Sequence, residues 1–382
     1  MFGINLPSRG GKLVAVVEIG SGCAAVGLLS IQKDAPALMR AAERSILPME
    51  ERAKEATTTA IAGALVQAGE SVLKRVGRQR LAALYCVIRT PWIHSEVVRA
   101  ESIFERDTPV TQQMLAALAQ QALSGLKVVD RANFLEAGVV KVELDGYPSG
   151  EPTGKRARRV AVSALASDCD PALKSPVVVA LEQTFPHMRP IFRSSTRSIL
   201  MALRDTNEAS DHLVVDMVSE GATLLVVRDG VLSEQAFVPE GIRNILKRIA
   251  PTAVPEETLG LLRMLGKEQS STTASDELQA AIARAEPELV RIFGEGMSAC
   301  ASLRRLPNDL VLIAHPDISP WFSKFFSRID FTQFTQTTQP FVVVALSAPD
   351  LARFVMPDAG VRLDTGFALS AALVNREEGG HR

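Results

Sequence analysis

The clearest pattern along the chain is a set of short β-branched and aliphatic runs punctuated by glycine. Leu13 to Val17 is one run, and the turn Gly20-Ser21-Gly22 separates it from Ala24 to Ser30. Two apolar runs joined by a glycine-rich turn predict a β-hairpin. The same logic returns in the second half. Asp211 to Asp216 reads as a strand, Ser219-Glu220-Gly221 as a turn, Ala222 to Arg228 as a strand, Asp229-Gly230 as a turn and Val231 to Val238 as a strand. Pro239-Glu240-Gly241 then leads into a helix over Ile242 to Ile249. The recurrence predicts two halves of a duplicated fold.

Between the halves the pattern changes. Ala53 to Arg75 has a helical stripe at Ile61, Leu65, Val72 and Leu73. Leu81 to Arg89, Ile93 to Phe104, Phe134 to Leu144 and Arg159 to Ser167 read as strands. Thr108-Pro109-Val110-Thr111 opens a helix with Thr111 as its N-cap, and a further helix spans about Pro171 to Phe185. Asp145 to Gly154 is a Gly/Pro-rich turn. Together these make a compact α+β module. Further on, Gly266 to Asp276 reads as a polar surface loop, Leu310 to Ala314 and Phe341 to Leu346 as strands, Leu363 to Val374 as a helix, and Asn375 to Arg382 as a polar tail.

Composition narrows the function classes. The length of 382 residues suggests two or three domains, and 47% apolar residues mark a globular chain. A net charge of -1 excludes a chain dominated by phosphate contacts, and 5% aromatics argue against stacking platforms, so no nucleic-acid partner is expected. Cys23, Cys86, Cys169 and Cys300 are scattered and read as reduced thiols. No apolar run reaches the roughly 18 residues of a spanning helix. Gly20-Ser21-Gly22-Cys23 faintly suggests a lipoprotein site, but Glu18 interrupts the run where an export signal is apolar.

Four motifs in order resemble the actin-like ATPase superfamily, in particular the division protein FtsA and the type IV pilus protein PilM. Val17 to Gly22 resembles the first phosphate loop (D-I-G-[ST]-S-K) and Val215 to Thr223 the second (D-I-G-G-G-T-T). Val238 to Ile242 resembles the following P-x-G-G turn, and Leu310 to Pro316 sits at the adenosine loop. The resemblance implies an α/β fold of duplicated actin-like (ribonuclease H-like) domains with an inserted α+β FtsA-type subdomain. It divides the chain into 1–83 (first domain), 84–192 (insert), 193–210 (return helix), 211–350 (second domain, with a helical subdomain at 250–308) and 351–382 (C-terminal return to the first domain).

The resemblance also implies a nucleotide site. Gly20, Ser21, Gly22, Asp216, Gly221 and Thr223 match its positions, with Asp216 as the residue for Mg²⁺. The departures argue against tight ATP binding. Phosphate loops work because glycines let backbone N–H groups approach anionic oxygens, and here Val218, Ser219 and Glu220 interrupt the second loop. Glu18 replaces Asp, Cys23 stands where FtsA relatives have a Lys, Ala314-His315-Pro316 replaces three glycines, and Leu259 and Leu262 replace the adenine-contacting Glu and Lys. The expectation is a non-catalytic adaptor at the cytoplasmic face of the inner membrane. Its partners would be cytoplasmic tails of membrane proteins in division or pilus assembly, and it would self-associate into dimers or filaments. The alternative is an ATP-binding, polymerising FtsA-like ATPase.

Other features carry both functional and structural readings. Glu18 and Asp216 form a candidate carboxylate pair for a metal, or a solvated acid and a turn cap. His315 is a candidate acid or base whose nearest partner by spacing is Asp317, and the five histidines show no zinc spacing. Lys155 to Arg159 is either a partner-facing basic patch or a solvated turn. Trp321, Phe322, Phe325, Phe326, Phe331 and Phe334 form either core or an exposed patch, with core the expected reading.

Overall fold

The computed structural model describes residues 11–77, 79–206, 211–266 and 272–379. The first half contributes β1 (Lys12–Ile19), β2 (Cys23–Ile31), β3 (Ala37–Ile46), α1 (Lys54–Val76), β4 (Ala83–Ile88), β5 (Ile93–Pro109), α2 (Gln112–Ser124), β6 (Phe134–Leu144), β7 (Tyr147–Pro148), β8 (Arg156–Cys169), α3 (Pro171–Thr184), β9 (Pro190–Ser194) and α4 (Ser195–Thr206). The second half contributes β10 (His212–Met217), β11 (Ala222–Arg228), β12 (Val231–Val238), α5 (Ile242–Ile249), α6 (Pro255–Gly266), α7 (Thr272–Cys300), β13 (Asp309–Ile313), α8 (Ser319–Arg328), β14 (Val342–Ala345), β15 (Val355–Pro357) and α9 (Thr365–Gly379).

Duplication is visible in the strand order. One sheet runs β15-β3-β2-β1-β4-β9 and the other β12-β11-β10-β13-β14. Without β15, the two have the same plan. In each, the first strand is antiparallel to its hairpin partner and parallel to the strand after the helical crossover. Strands β1 and β10 are central, so both faces must be covered. Accordingly Val14 to Ile19 and all of β10 are buried.

Helices α4 and α9 lie between the two sheets. Helix α9 is buried from Thr365 to Asn375, apolar nearly all round, as expected for an interior helix. The outer face of the first sheet packs on α1 and α3, where Gly69 allows close approach: a Cβ there would strike the Thr184 side chain. The outer face of the second sheet packs on α5 to α8. Phe322, Phe325 and Phe326 are fully buried against Phe293, and Phe331 nearly so. Phe293 and Phe326 meet edge to face at 5.2 Å. The phenylalanine cluster is core, although Phe334 is only half-buried.

The third sheet, β5-β8-β6-β7, is antiparallel and is covered by α2 through Val110, Leu118, Ala122, Val160 and Val162. It is tied to the first domain by Glu136 of β6. This buried carboxylate accepts from the Ser194 N–H (2.8 Å) and from Arg197 Nε (2.5 Å).

Several expectations need correction. Strands β3, β9 and β15 have no counterpart among the expected elements. Strand β4 spans the expected boundary at 83/84 and β9 the one at 192/193; both are hydrogen-bonded into the first sheet, and the third sheet is built from residues between them. Thr108 and Pro109 end β5 instead of opening a helix; α2 starts after Thr111, whose hydroxyl caps the Met114 N–H at 3.1 Å. Arg156 to Arg159 belong to β8 and not to a turn. Arg158 pairs with Asp107 at 3.1 Å and Arg159 with Glu101 at 2.7 Å, while Lys155 donates to the Ser149 hydroxyl and Arg156 to the Asp107 carbonyl. Within Gly266 to Asp276, residues 267–271 lie outside the described residues, and 272–276 open α7. The polar tail is helical through Gly379: Asn375 is buried and donates to the Phe354 carbonyl at 2.9 Å, while Glu377 pairs with Arg193. Among the described residues no helix is long and apolar enough to cross a membrane.

Candidate nucleotide cleft

The two duplicated hairpins put their first turns face to face. Strand β1 delivers Glu18 and then Gly20-Ser21-Gly22; β10 delivers Asp216 and then 218–221. The loops touch directly. The Glu220 N–H donates to Ser21 Oγ at 3.2 Å, and a Cβ on Gly22 would lie 2.7 Å from the Ser219 Cβ. Gly221 is packed against the Phe237 ring, and Gly241 against the backbone of Ser219 to Gly221.

A helix N-terminus is an anion site because its first N–H groups lack intrahelical partners. At α5 the first two of those donors are already used. The Ile242 and Arg243 N–H groups donate to the carbonyls of Val218 and Ser219, both at 3.0 Å. The loop that would cradle a phosphate is folded back onto the helix end.

The charged groups of the cleft pair with one another. Glu18 is fully buried and Asp216 is 1% exposed. Arg89, just beyond the end of β4, forms an ion pair with Asp216 and lies 3.8 Å from Glu18 Oε1. Arg44 of β3 reaches Glu18 at 3.0 Å and Asp364 at 2.6 Å, and the Ser370 hydroxyl donates to Glu18 Oε2 at 2.9 Å. Burial raises the Glu18 carboxyl above its ordinary range, with Arg89 and Arg44 acting in opposition. Burial opposes the charge on Arg89, but Asp216 and Glu18 outweigh it and hold its pKa above the usual guanidinium range. Burial also pushes the Cys23 thiol up, so it is not an activated nucleophile.

Gly20, Ser21, Gly22, Asp216, Gly221 and Thr223 are therefore brought together, but in a closed arrangement. Thr223 lies directly opposite Asp216 in the β10–β11 ladder. A Mg²⁺ ion beside Asp216 would meet the guanidinium of Arg89, so the residues as folded do not fit the ion. Among the described residues no group of three or more His, Cys, Asp or Glu is placed to hold a metal. His315 receives the Asp317 N–H on Nδ1 at 3.2 Å, and burial lowers its pKa. Leu262 is buried and Leu259 half-buried, both packed in the second-domain core. Sequence reasoning missed Arg89, Arg44, Asp364 and Ser370. Arg89 carried a signal, a cation ending an otherwise apolar strand.

No family model matches the sequence, and no curated protein matches it. Comparison with solved structures does find similar folds. The PilM–PilN type IV pilus biogenesis complex aligns over 98% of this chain and 100% of that one, with 15% identity and a TM-score of 0.54. The chain has the actin-like ATPase fold. Weaker likenesses are the ethanolamine utilization protein EutJ of Carboxydothermus hydrogenoformans (9% identity, 96% and 92% covered, TM-score 0.47) and component A of the Acidaminococcus fermentans (R)-2-hydroxyglutaryl-CoA dehydratase (10%, 97% and 100%, 0.39).

Proposed function

We propose that the chain is a non-catalytic actin-fold adaptor at the cytoplasmic face of the inner membrane. It recruits membrane proteins for type IV pilus assembly or cell division by holding the short tails they leave in the cytoplasm. The observation that carries the reading is Arg89. A buried guanidinium stands between Glu18 and Asp216, where an ATPase of this fold would bring a metal-bound triphosphate. The loops already in contact at Ser21 and Glu220 support the same reading. The pilus side rests on the likeness to the PilM–PilN complex.

The alternative, an ATPase that polymerises and switches with nucleotide, retains Asp216 at the end of β10 in its favour. Sedimentation and light scattering with and without ATP and Mg²⁺ separate the two. The adaptor assembles to the same extent in both, while filaments that require nucleotide and vanish in Asp216→Ala would overturn it. For recruitment, cross-linking in cells followed by membrane solubilisation is expected to recover inner-membrane proteins with short cytoplasmic tails. Recovery of soluble proteins alone would contradict that part.

A further inference from the structure

The connection between β3 and α1 starts and ends in the first domain but holds on to both. Residues 47–53 leave the first sheet after Ile46 and return to that domain at Lys54. Leu47 packs on the first-domain core, and its N–H donates to the Gly22 carbonyl at 2.9 Å. Met49 packs instead on the second-domain core. Its N–H donates to Glu256 Oε1 of α6 at 2.7 Å, and Arg243 Nη1 of α5 donates to the Glu50 carbonyl at 3.0 Å. Arg52 stiffens the segment: it donates to the Pro48 carbonyl at 2.9 Å and forms an ion pair with Glu50.

This strap runs across the mouth of the cleft. Through Gly22 it is fixed to the first loop. On the other side Arg243 also lies 3.6 Å from Glu220 of the second loop, whose N–H reaches Ser21. The chain passes between the domains elsewhere, after α4 and after β14, so the strap is a non-covalent tie. Deeper in, the Arg89–Asp216 pair ties the same two domains, and it is buried. The strap's bonds to α5 and α6 are exposed, so water can replace each of them. Exposed hydrogen bonds with little apolar burial mark the segments that open locally at low cost. The apolar anchor on the second domain is Met49, half-buried and on an unbranched, adaptable side chain.

We infer that residues 47–53 are a releasable clasp. Docked on Glu256 and Arg243, the strap holds the two loops together. Released, it lets the loops part and opens the outer cleft to solvent, while the shared core around α4 and α9 stays packed. Opening is then a local event, separate from unfolding, and the clasp acts whether or not the cleft takes nucleotide.

Cys23 reports the state of the cleft. It directly follows Gly22 and is half-buried, and burial pushes its thiol up, so it reacts slowly while the loops are closed. Cys86, Cys169 and Cys300 are buried in the domain cores and report unfolding. The test treats the full chain with N-ethylmaleimide and follows each cysteine by peptide mass. In a Met49→Ser, Glu256→Ala variant, Cys23 is expected to label about tenfold faster, with the other three unchanged. Met49→Leu keeps the apolar anchor and is expected to label like the parent. Unchanged labelling of Cys23 in the double variant, or equal acceleration of all four cysteines, would overturn the clasp. A second measurement uses Glu256→Ala alone, which alters only an exposed side chain. Amide exchange across 219–221 is expected to quicken in it, with 213–216 in β10 unchanged. Exchange equal to the parent's across 219–221 would also overturn the clasp.

Discussion

Arg89 sets the electrostatics of the cleft, and its removal is the sharpest residue-level test. Arg89→Met leaves Asp216 without the partner that neutralises it in a buried setting. Breaking a buried ion pair from one side costs about 3–5 kcal/mol. Urea denaturation should show a loss of that size; a loss under about 1 kcal/mol would mean that water compensates Asp216. Glu18 gives a pH test. Its carboxyl is raised by burial, so the folded state keeps a proton that the unfolded chain has released. The stability it contributes is present at low pH and is lost as pH rises above about 4.5 towards the raised folded value. Relative to Glu18→Gln, the parent should lose stability across that rise. A constant difference with pH would contradict the assignment. None of this network was visible in the sequence beyond Glu18 and Asp216. Arg44, Arg89, Asp364 and Ser370 come from distant stretches, and spacing carries no information about partners that meet only through the sheet.

At the scale of elements, the loop after β10 depends on Gly241. Its backbone is extended, so the requirement is space: a Cβ would overlap backbone atoms of Ser219, Glu220 and Gly221. Gly241→Ala should cost about 3 kcal/mol or displace the loop, read as a fall in melting temperature. Wild-type stability in the variant would show that the loop is free to shift. Strong local patterns explain which elements could be read in advance. Strands β1, β2, β10 and β11 are continuous apolar runs with glycine turns, and helix α5 has all its apolar residues on one side. Strand β3 could not be read this way, because Ala37 to Ile46 mixes Arg40, Glu43 and Arg44 with small apolar residues, and Arg44 points into the cleft for charge. The basic run at Lys155 to Arg159 looked like a turn because its acidic partners, Asp107 and Glu101, lie on the facing strand.

The whole molecule is two copies of one plan joined by α4 and α9, with a third sheet pinned through Glu136. Glu136→Ala should loosen that joint. Arg197 loses its carboxylate and Ser194 its acceptor, at a cost of about 3 kcal/mol. Limited proteolysis should then cut near 131–135 and 189–194 before the rest unfolds; unchanged cleavage would show that the insert is held elsewhere. The duplication itself was readable, because each half repeats the same hairpin and turn logic. The closure of the cleft was only half readable. The glycines missing from the two loops could be read, but the buried Arg89 guanidinium between Glu18 and Asp216 appears only in the fold.

The most direct test of that closure is calorimetric titration of the full chain with ATP and Mg²⁺. No heat up to millimolar ATP is the expected result. Binding in the low micromolar range would show that Arg89 yields to nucleotide and that the chain is a working ATPase-fold switch.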